Sequence, residues 1–387
     1  MKKIAFIAAA PMSLTAFLRN HMLALSKNHA VYAIADFSTK DLLELKALGV
    51  HPLSVSIPRE ISPVRDLLAL GSLYCLFRRE HFDVIQSVTP KAGLLAMMAG
   101  RIAGVKKRIH WFTGQVWVTR QGIMRSVLRS ADRIIATNAT QLLVDSPSQK
   151  FFLESEAVIS PSHSTVLGVG SICGVDLHRF KVDPIARERI RSQLEIPENH
   201  LVFVFLGRLN RDKGILDLAS AFARLATEFS HATLLVVGPD EGRISDQFNL
   251  ICSDVLAHVR RVDYTDSPES YLACADVLVL PSYREGFGST VIEAAACGVP
   301  AITSRIYGLT DAVEEGVTGL MNASGDVEGL YANMKMMAQD PALRIRMGNA
   351  ALKRARSEFS MELITQHYLD FMKKNILETN ISKVSGK

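Results

Sequence analysis

Short runs of β-type residues alternate with longer stretches of helical spacing along most of the chain. KIAFIAA, HAVYAIAD, HPLSVSI, DVIQSV, KRIHWFT and RIIATN predict strands, and residues 14–27, 40–48, 63–80, 91–103, 121–130 and 142–153 predict the helices between them. The strands are apolar throughout rather than alternating, the pattern of parallel strands covered on both faces by crossover helices. They predict one doubly wound α/β domain. A second series follows, with strands LVFVFLG, ATLLVVG, VRRVDY, DVLVLPS and VPAITS interleaved with helical 214–229, 244–257, 267–275 and 290–297. Between the two lies a Gly- and Pro-bearing stretch around 170–198 with one basic helical segment, so the expected domains are 1–175 and 176–359. After EEGVTGLM only helices are predicted, at 326–339, 341–357 and 360–376, and the tail from Glu378 is expected to fray. The length of 387 residues agrees with two cores rather than one.

Two features of the chain's ends and charge alter this picture only slightly. The start, MKKIAFIAAAPM, has the lysines and A-x-A of a signal peptide, but its apolar run is short and flows into a helical pattern; a first buried strand is expected. No stretch reaches the ~18 uninterrupted apolar residues of a spanning helix, so any membrane contact would be peripheral. Residues 1–170 hold 20 Lys+Arg against 11 Asp+Glu, a net of +9, and the remainder is net negative. A basic first half suits an anionic partner, such as a membrane surface or a phosphate-bearing acceptor, and equally a plain solvated face. The five cysteines show no C-x-x-C spacing and read as buried thiols, with neither disulfide nor zinc site expected.

In tandem doubly wound domains the cleft between the domains is the expected site, and ligands sit beyond the carboxyl ends of strands. Arg208 and Lys213 follow LVFVFLG at a strand-to-helix turn, where two cations and the unpaired amides of a helix start favour phosphate. Loop solubility plus an ion pair with Asp212 is the plainer alternative for these cations. Val262, Asp263 and Tyr264 follow another strand, where a nucleotide base could lie. PDEGR is a generic turn. In REGFGSTVIEAAACGVP, Gly286 and Gly288 clear the approach to a helix N-terminus, letting amides come near a diphosphate. Thr290 and Glu293 match the S/T-x-x-E capping box, which leaves Glu285 without a structural explanation.

Glu285 and Glu293 form E-x7-E. With LGRLNRDKG, ADVLVLPSYREGFGSTVIEAAACGVPAITS and EEGVTGLM, the chain resembles the retaining glycosyltransferases of family four, which have the B-type (GT-B) fold of two Rossmann-like domains with C-terminal helices crossing back. The segment SVTPKAGLLAMMAGRIAGVKKRIHWFTGQVW resembles members that build bacterial surface polysaccharides. The resemblance implies a donor site of Gly207, Arg208, Lys213, Val262, Tyr264, Glu285, Gly286, Phe287, Gly288, Ser289, Thr290 and Glu293. Glu285 would hold the donor sugar, Glu293 the ribose, and Arg208 and Lys213 the diphosphate. It also implies transfer of a hexosyl or N-acetylhexosaminyl group from a nucleotide-sugar, UDP being favoured on family frequency, to a saccharide or polyprenyl-diphosphate-linked acceptor. The enzyme would lie in the cytoplasm at the inner face of the membrane, with no nucleic-acid partner. No Asp-x-Asp occurs, and the two cations can stabilise a leaving phosphate, so no metal and no cofactor are expected.

One departure stands out. Relatives often end the fifth strand with His-Gly, whereas this chain has Thr113 before Gly114; His110, three residues earlier, should face the other way on a strand and pack. In the retaining mechanism so implied, the departing phosphate can take the acceptor's proton, and Thr113 need only position. Lys91, Gln115 and Ser13 are further acceptor-side candidates, with helix capping as Ser13's alternative role. Trp117, beside Arg120 and Arg125, is a candidate for a lipid-linked acceptor or membrane interface. The competing readings are a sugar-nucleotide epimerase of the same architecture and a non-enzymatic two-domain sugar-binding protein. The first turn lacks G-x-G-x-x-G, which argues against a dinucleotide dehydrogenase.

Overall fold

The computed structural model describes residues 1–58 and 60–377. The chain divides into two compact units, Met1–Cys173 together with the chain from Glu362 onward, and Gly174–Met361. The tail from Glu378 lies outside the described residues.

The first unit is built on seven strands: β1 (Lys3–Ile7), β2 (Ala30–Ala35), β3 (His51–Ser54), β4 (Val84–Val88), β5 (Lys107–Phe112), β6 (Gln141–Val144) and β7 (Ser164–Val166). All neighbours are parallel, in the order β3-β2-β1-β4-β5-β6-β7. The residues that resemble a leader, KIAFI, are β1, at the sheet's middle and nearly all buried. The second unit has six: β8 (Leu201–Leu206), β9 (Ala232–Val237), β10 (Val259–Val262), β11 (Val277–Leu280), β12 (Ala301–Ser304) and β13 (Gly319–Asn322), also parallel, in the order β10-β9-β8-β11-β12-β13. Continuous apolar strands thus became two-faced parallel sheets, and the expected class of two doubly wound Rossmann-like domains holds.

Several local expectations fail. RIIATN is not a strand but the end of a helix, Gly122–Asn138, and the sixth strand is QLLV. Leu128, Asp132, Ile135 and Ala139 recur at three and four residues and face the core, while Ile134 is exposed, so helical spacing outweighs the β-type composition. The following helix is Pro147–Ser155 instead of 142–153. Strands β7 and β13, of three and four residues, carry too little pattern to be read. Residues 14–27 form two helices, Pro11–Phe17 and Arg19–Ser26. Cys75 is exposed rather than buried.

The helix Met361–Met372 belongs to the first unit although the second unit's chain precedes it. Its Tyr368 is fully buried, donates to Gln86 Oε1 on β4 at 2.6 Å, and lies against the rings of His21 and Trp111 at 4.3 and 5.9 Å between centroids. Burying an aromatic with its hydroxyl satisfied gives apolar gain without a desolvation penalty. Among the described residues, no helix is long and apolar enough to cross a membrane.

Candidate functional site

In an open parallel sheet, loops diverge where the strand order reverses, leaving a crevice at the strands' carboxyl ends. In the second unit that reversal falls between β8 and β11, which pair directly. The loops leaving these two strands carry Arg208 to Gly214 and Pro281 to Gly288, so Lys213 and Glu285, 72 residues apart in sequence, meet at 2.6 Å.

The two loops are locked together. The Tyr283 amide donates to the Asp212 carbonyl at 2.8 Å, the Arg284 guanidinium pairs with the Asp212 carboxylate at 3.0 Å, and the Tyr283 hydroxyl donates to Asp217 at 2.7 Å. Burial, and then Asp217, pushes the Tyr283 phenol up to about 12, so it stays a donor at neutral pH. Gly214 sits at φ 67°, and a Cβ there would overlap the Pro281 carbonyl. The plainer alternative, an ion pair of these cations with Asp212, is therefore corrected: Asp212 is used by Arg284, Lys213 by Glu285 and Arg208 by Glu241. Asn210 accepts from the Lys213 amide at 3.1 Å, closing a tight turn that delivers Lys213 to the start of the helix Ile215–Glu228. A cation fixed at a helix N-terminus concentrates positive potential in one place.

Glu285 also accepts from the Ser282 hydroxyl at 2.8 Å, and its side chain is only 11% exposed. Arg208 differs: it is 54% exposed and pairs with Glu241 at 2.9 Å. Such a surface pair is worth about 0–1 kcal/mol, so Arg208 can change partners at little cost. Glu241, read as part of a generic turn, is a site neighbour that the sequence did not reveal.

The glycine turn is equally constrained. Gly288 at φ 85° starts the helix Ser289–Ala296, and Gly308 packs so closely on the Gly286 carbonyl that a Cβ would collide. Phe287 is buried and leans on Phe359 at 5.4 Å. Among the described residues the protein supplies no partner to the amides of Phe287, Gly288, Ser289 and Thr290. Four unpartnered N–H groups at a helix start, near Lys213, form a place for an anion. The capping box is a correction: the N-cap is Gly288, without a side-chain cap, so Thr290 is the second helical residue and Glu293 the fifth. Burial, with Glu269 adding and Arg179 opposing, pushes the Glu293 carboxyl up to about 7. Val262 ends β10, and Tyr264 projects outward, donating to Asp266 at 2.8 Å.

In the first unit the sheet reverses between β1 and β4. Ser13 does not cap: the N-cap is Ala10, and Ser13 lies inside the helix's first turn. Lys91 pairs with Asp66 at 2.7 Å and donates to the Glu60 carbonyl, which ties two helices together. Gln115 is fully buried, accepting from Gln149 at 3.2 Å, so it is not an exposed acceptor contact. Trp117 is also fully buried; its indole donates to Asp132 at 2.7 Å and stacks on Phe152. The membrane role expected of Trp117 is therefore overturned, because the ring fills the core and its N–H is used there. Thr113 lies just past β5, half-buried. His110 packs as expected, bonded to Ser87 at 2.8 Å, with burial lowering it to about 3. A residue missed by sequence reading is Thr89 at the end of β4, held at φ 72° although β-branched, a strained geometry that collects at functional rims.

Two reversing parallel sheets, one carrying a cation–carboxylate pair beside an amide-lined turn, define the GT-B class of two-domain proteins, and comparison with known proteins agrees. Residues 186–354 match the family model of glycosyl transferases group 1. The chain is 29% identical over 326 residues to the capsular polysaccharide biosynthesis glycosyltransferase CapM of Staphylococcus aureus, covering 83% of this chain and 85% of that one. It is 25% identical over 299 residues, 76% of each chain, to the UDP-Gal:alpha-D-GlcNAc-diphosphoundecaprenol alpha-1,3-galactosyltransferase of Escherichia coli. The solved structure of Anabaena HepE, in complex with UDP and glucose, superposes with a TM-score of 0.81 at 17% identity, over 97% of this chain and all of that one. Residues 186–354, all within the second unit, thus carry the group 1 glycosyl transferase match, and the two relatives that align over most of the chain are glycosyltransferases.

Proposed function

We propose that this glycosyltransferase moves a sugar, with retention, from a UDP-sugar to a saccharide on a lipid-linked diphosphate, in the synthesis of a cell-surface polysaccharide such as capsule or O-antigen. The observation that carries the reading is the Lys213–Glu285 pair at the β8/β11 reversal, beside four unpartnered amides. Lys213 and those amides receive the diphosphate, Arg208 leaves Glu241 to join them, and Glu285 accepts hydroxyls of the donor sugar. As the bond from the anomeric carbon to phosphate oxygen breaks, charge grows on the leaving diphosphate. Groups already fixed in place stabilise that charge without reorganising. The leaving phosphate oxygen then takes the acceptor's proton, so no protein base is needed where Thr113 stands. Support for the substrates comes from the relatives: HepE binds UDP and glucose, and the E. coli relative uses a diphosphoundecaprenol acceptor. The test is turnover of UDP-, GDP- and dTDP-sugars on a polyprenyl-diphosphate saccharide, with and without chelator. UDP-sugar transfer that survives chelator is expected; transfer strictly lost in chelator overturns the metal-independent assignment.

Glu293 adds a pH dependence. A carboxyl raised to about 7 is largely protonated at pH 6 and ionised at pH 8, and only the ionised form accepts from both ribose hydroxyls. The donor KM should fall as pH rises from 6 to 8, and Glu293→Gln should flatten that profile. A wild-type KM independent of pH over this range counts against the ribose role.

A lipid-linked acceptor places the enzyme at the cytoplasmic membrane face. In support, Val64, Leu67 and Leu68 in the first turns of the helix Pro63–Glu80, and Ile123, Met124 and Val127 in the first turns of Gly122–Asn138, are exposed. Both helices begin at the carboxyl rim of a basic unit, and amphipathic surfaces of this kind bind anionic bilayers. Ile123→Asp with Val127→Asp should weaken binding to phosphatidylglycerol liposomes severalfold while leaving UDP affinity unchanged; unaltered liposome binding removes this contact.

A further inference from the structure

The first unit has a second recess, at the amino ends of its strands and so at the opposite rim from the loops discussed above. It is a cavity of about 780 Å³, within the size that small ligands occupy. Lys2 before β1, Lys106 and Lys107 at β5, Arg78 and His81 at the end of the helix Pro63–Glu80, and Lys374 from the chain's last described turn line it. The one carboxylate is Asp83, and it is already used: Lys2 pairs with it at 3.2 Å and the Lys3 amide donates to it at 2.9 Å. Lys107 donates to the Asn375 carbonyl at 3.1 Å. The side chains of Arg78, Lys106 and Lys374 have no ion pair or hydrogen bond among the described residues.

Like charges gathered in a recess repel, by about 1 kcal/mol for a pair 4 Å apart even at the dielectric of water. Arg78 has a partial structural reason to be there, since it faces the negative end of its own helix. Lys374 likewise lies in the last turn of its own helix, whereas Lys106, just before β5 and from a distant part of the chain, has no such reason. Low-dielectric walls lined by one sign of charge focus the field on whatever enters. We propose that this cavity is a second anion site, for a ligand bearing a diphosphate or phosphate monoester, whose oxygens are held by Arg78, Lys106 and Lys374. None of these residues belongs to the donor machinery, so the inference stands whether or not the donor assignment does.

The test compares the full chain with a variant carrying Arg78→Ala, Lys106→Ala and Lys374→Ala, using calorimetry with inorganic pyrophosphate and flotation with vesicles that contain or lack phosphatidic acid. The donor loops are identical in both proteins, so the difference reports the cavity alone. Pyrophosphate affinity at this site about tenfold weaker in the variant, and weakened by salt in the wild type, is the expected result and identifies a soluble ligand. Binding that instead needs phosphatidic acid, and is lost in the variant, identifies a lipid headgroup. Lys106→Arg with Lys374→Arg should retain either. If neither probe distinguishes wild type from the folded variant, the site is overturned.

Discussion

Glu285→Ala abolishes detectable transfer, by about a thousandfold or more in kcat, while the melting temperature stays within a few degrees of the parent. The loss is expected because Glu285 has two tasks at once. It would hold the donor sugar, and it fixes Lys213, whose ammonium lies 2.6 Å away and, on the proposed function, would meet the leaving group's growing charge. Without the carboxylate, Lys213 gains freedom and the transition state loses a preorganised charge. Stability changes little because the loops keep their other ties, Tyr283 to Asp212 and Asp217, and Arg284 to Asp212. Glu285→Gln is the informative partner: an amide can still accept from Ser282 and from a sugar hydroxyl but cannot hold Lys213 by charge. Its activity should fall between the two. Turnover with the best donor, alongside thermal unfolding, checks both, and a Glu285→Ala enzyme with a tenth of normal transfer would sink the site.

Gly214→Ala destabilises the protein by about 3 kcal/mol or more and weakens nucleotide binding with it. Two costs add. An L-residue at positive φ pays about 1–2 kcal/mol. The new Cβ must also displace the Pro281 carbonyl, which is backbone and cannot rotate away, so the 281–288 loop shifts off Lys213. Gly316, in the same unit, separates the two terms: it has φ 77° and nothing within 4 Å of a built Cβ, so Gly316→Ala carries the conformational cost alone. At about 2–4 °C per kcal/mol for a unit of this size, Gly214→Ala should melt several degrees below Gly316→Ala. Equal melting points would show that the loops are not locked at that contact.

All strands but β6, β7 and β13 were legible because apolar continuity is a property of each strand by itself, and so was the E-x7-E motif with its glycines. Which partners those residues take was not legible. Nothing local distinguishes Lys213 beside Asp212 from Lys213 beside Glu285, because the choice is made by strand order, which brings β11 next to β8. Trp117 is illegible for a related reason: a tryptophan near two arginines reads as interfacial, but its partner Asp132 lies in the part of the helix Gly122–Asn138 whose β-type composition hides the helix. The Thr89 backbone leaves no mark in composition, since threonine before proline is ordinary until its φ is known.

The helix Met361–Met372 sets an order of events in synthesis. The second unit is one unbroken stretch of chain, and its core is complete once Met361 has been made. The first unit, although its seven strands precede the second unit in the chain, lacks the buried Tyr368, Phe371 and Met372 until the second unit's chain has been made. Until then His21 and Trp111 lie open where Tyr368 will pack. The amino-terminal unit therefore cannot complete its core before the second unit's chain has been made, although domains commonly fold in the order they are synthesised.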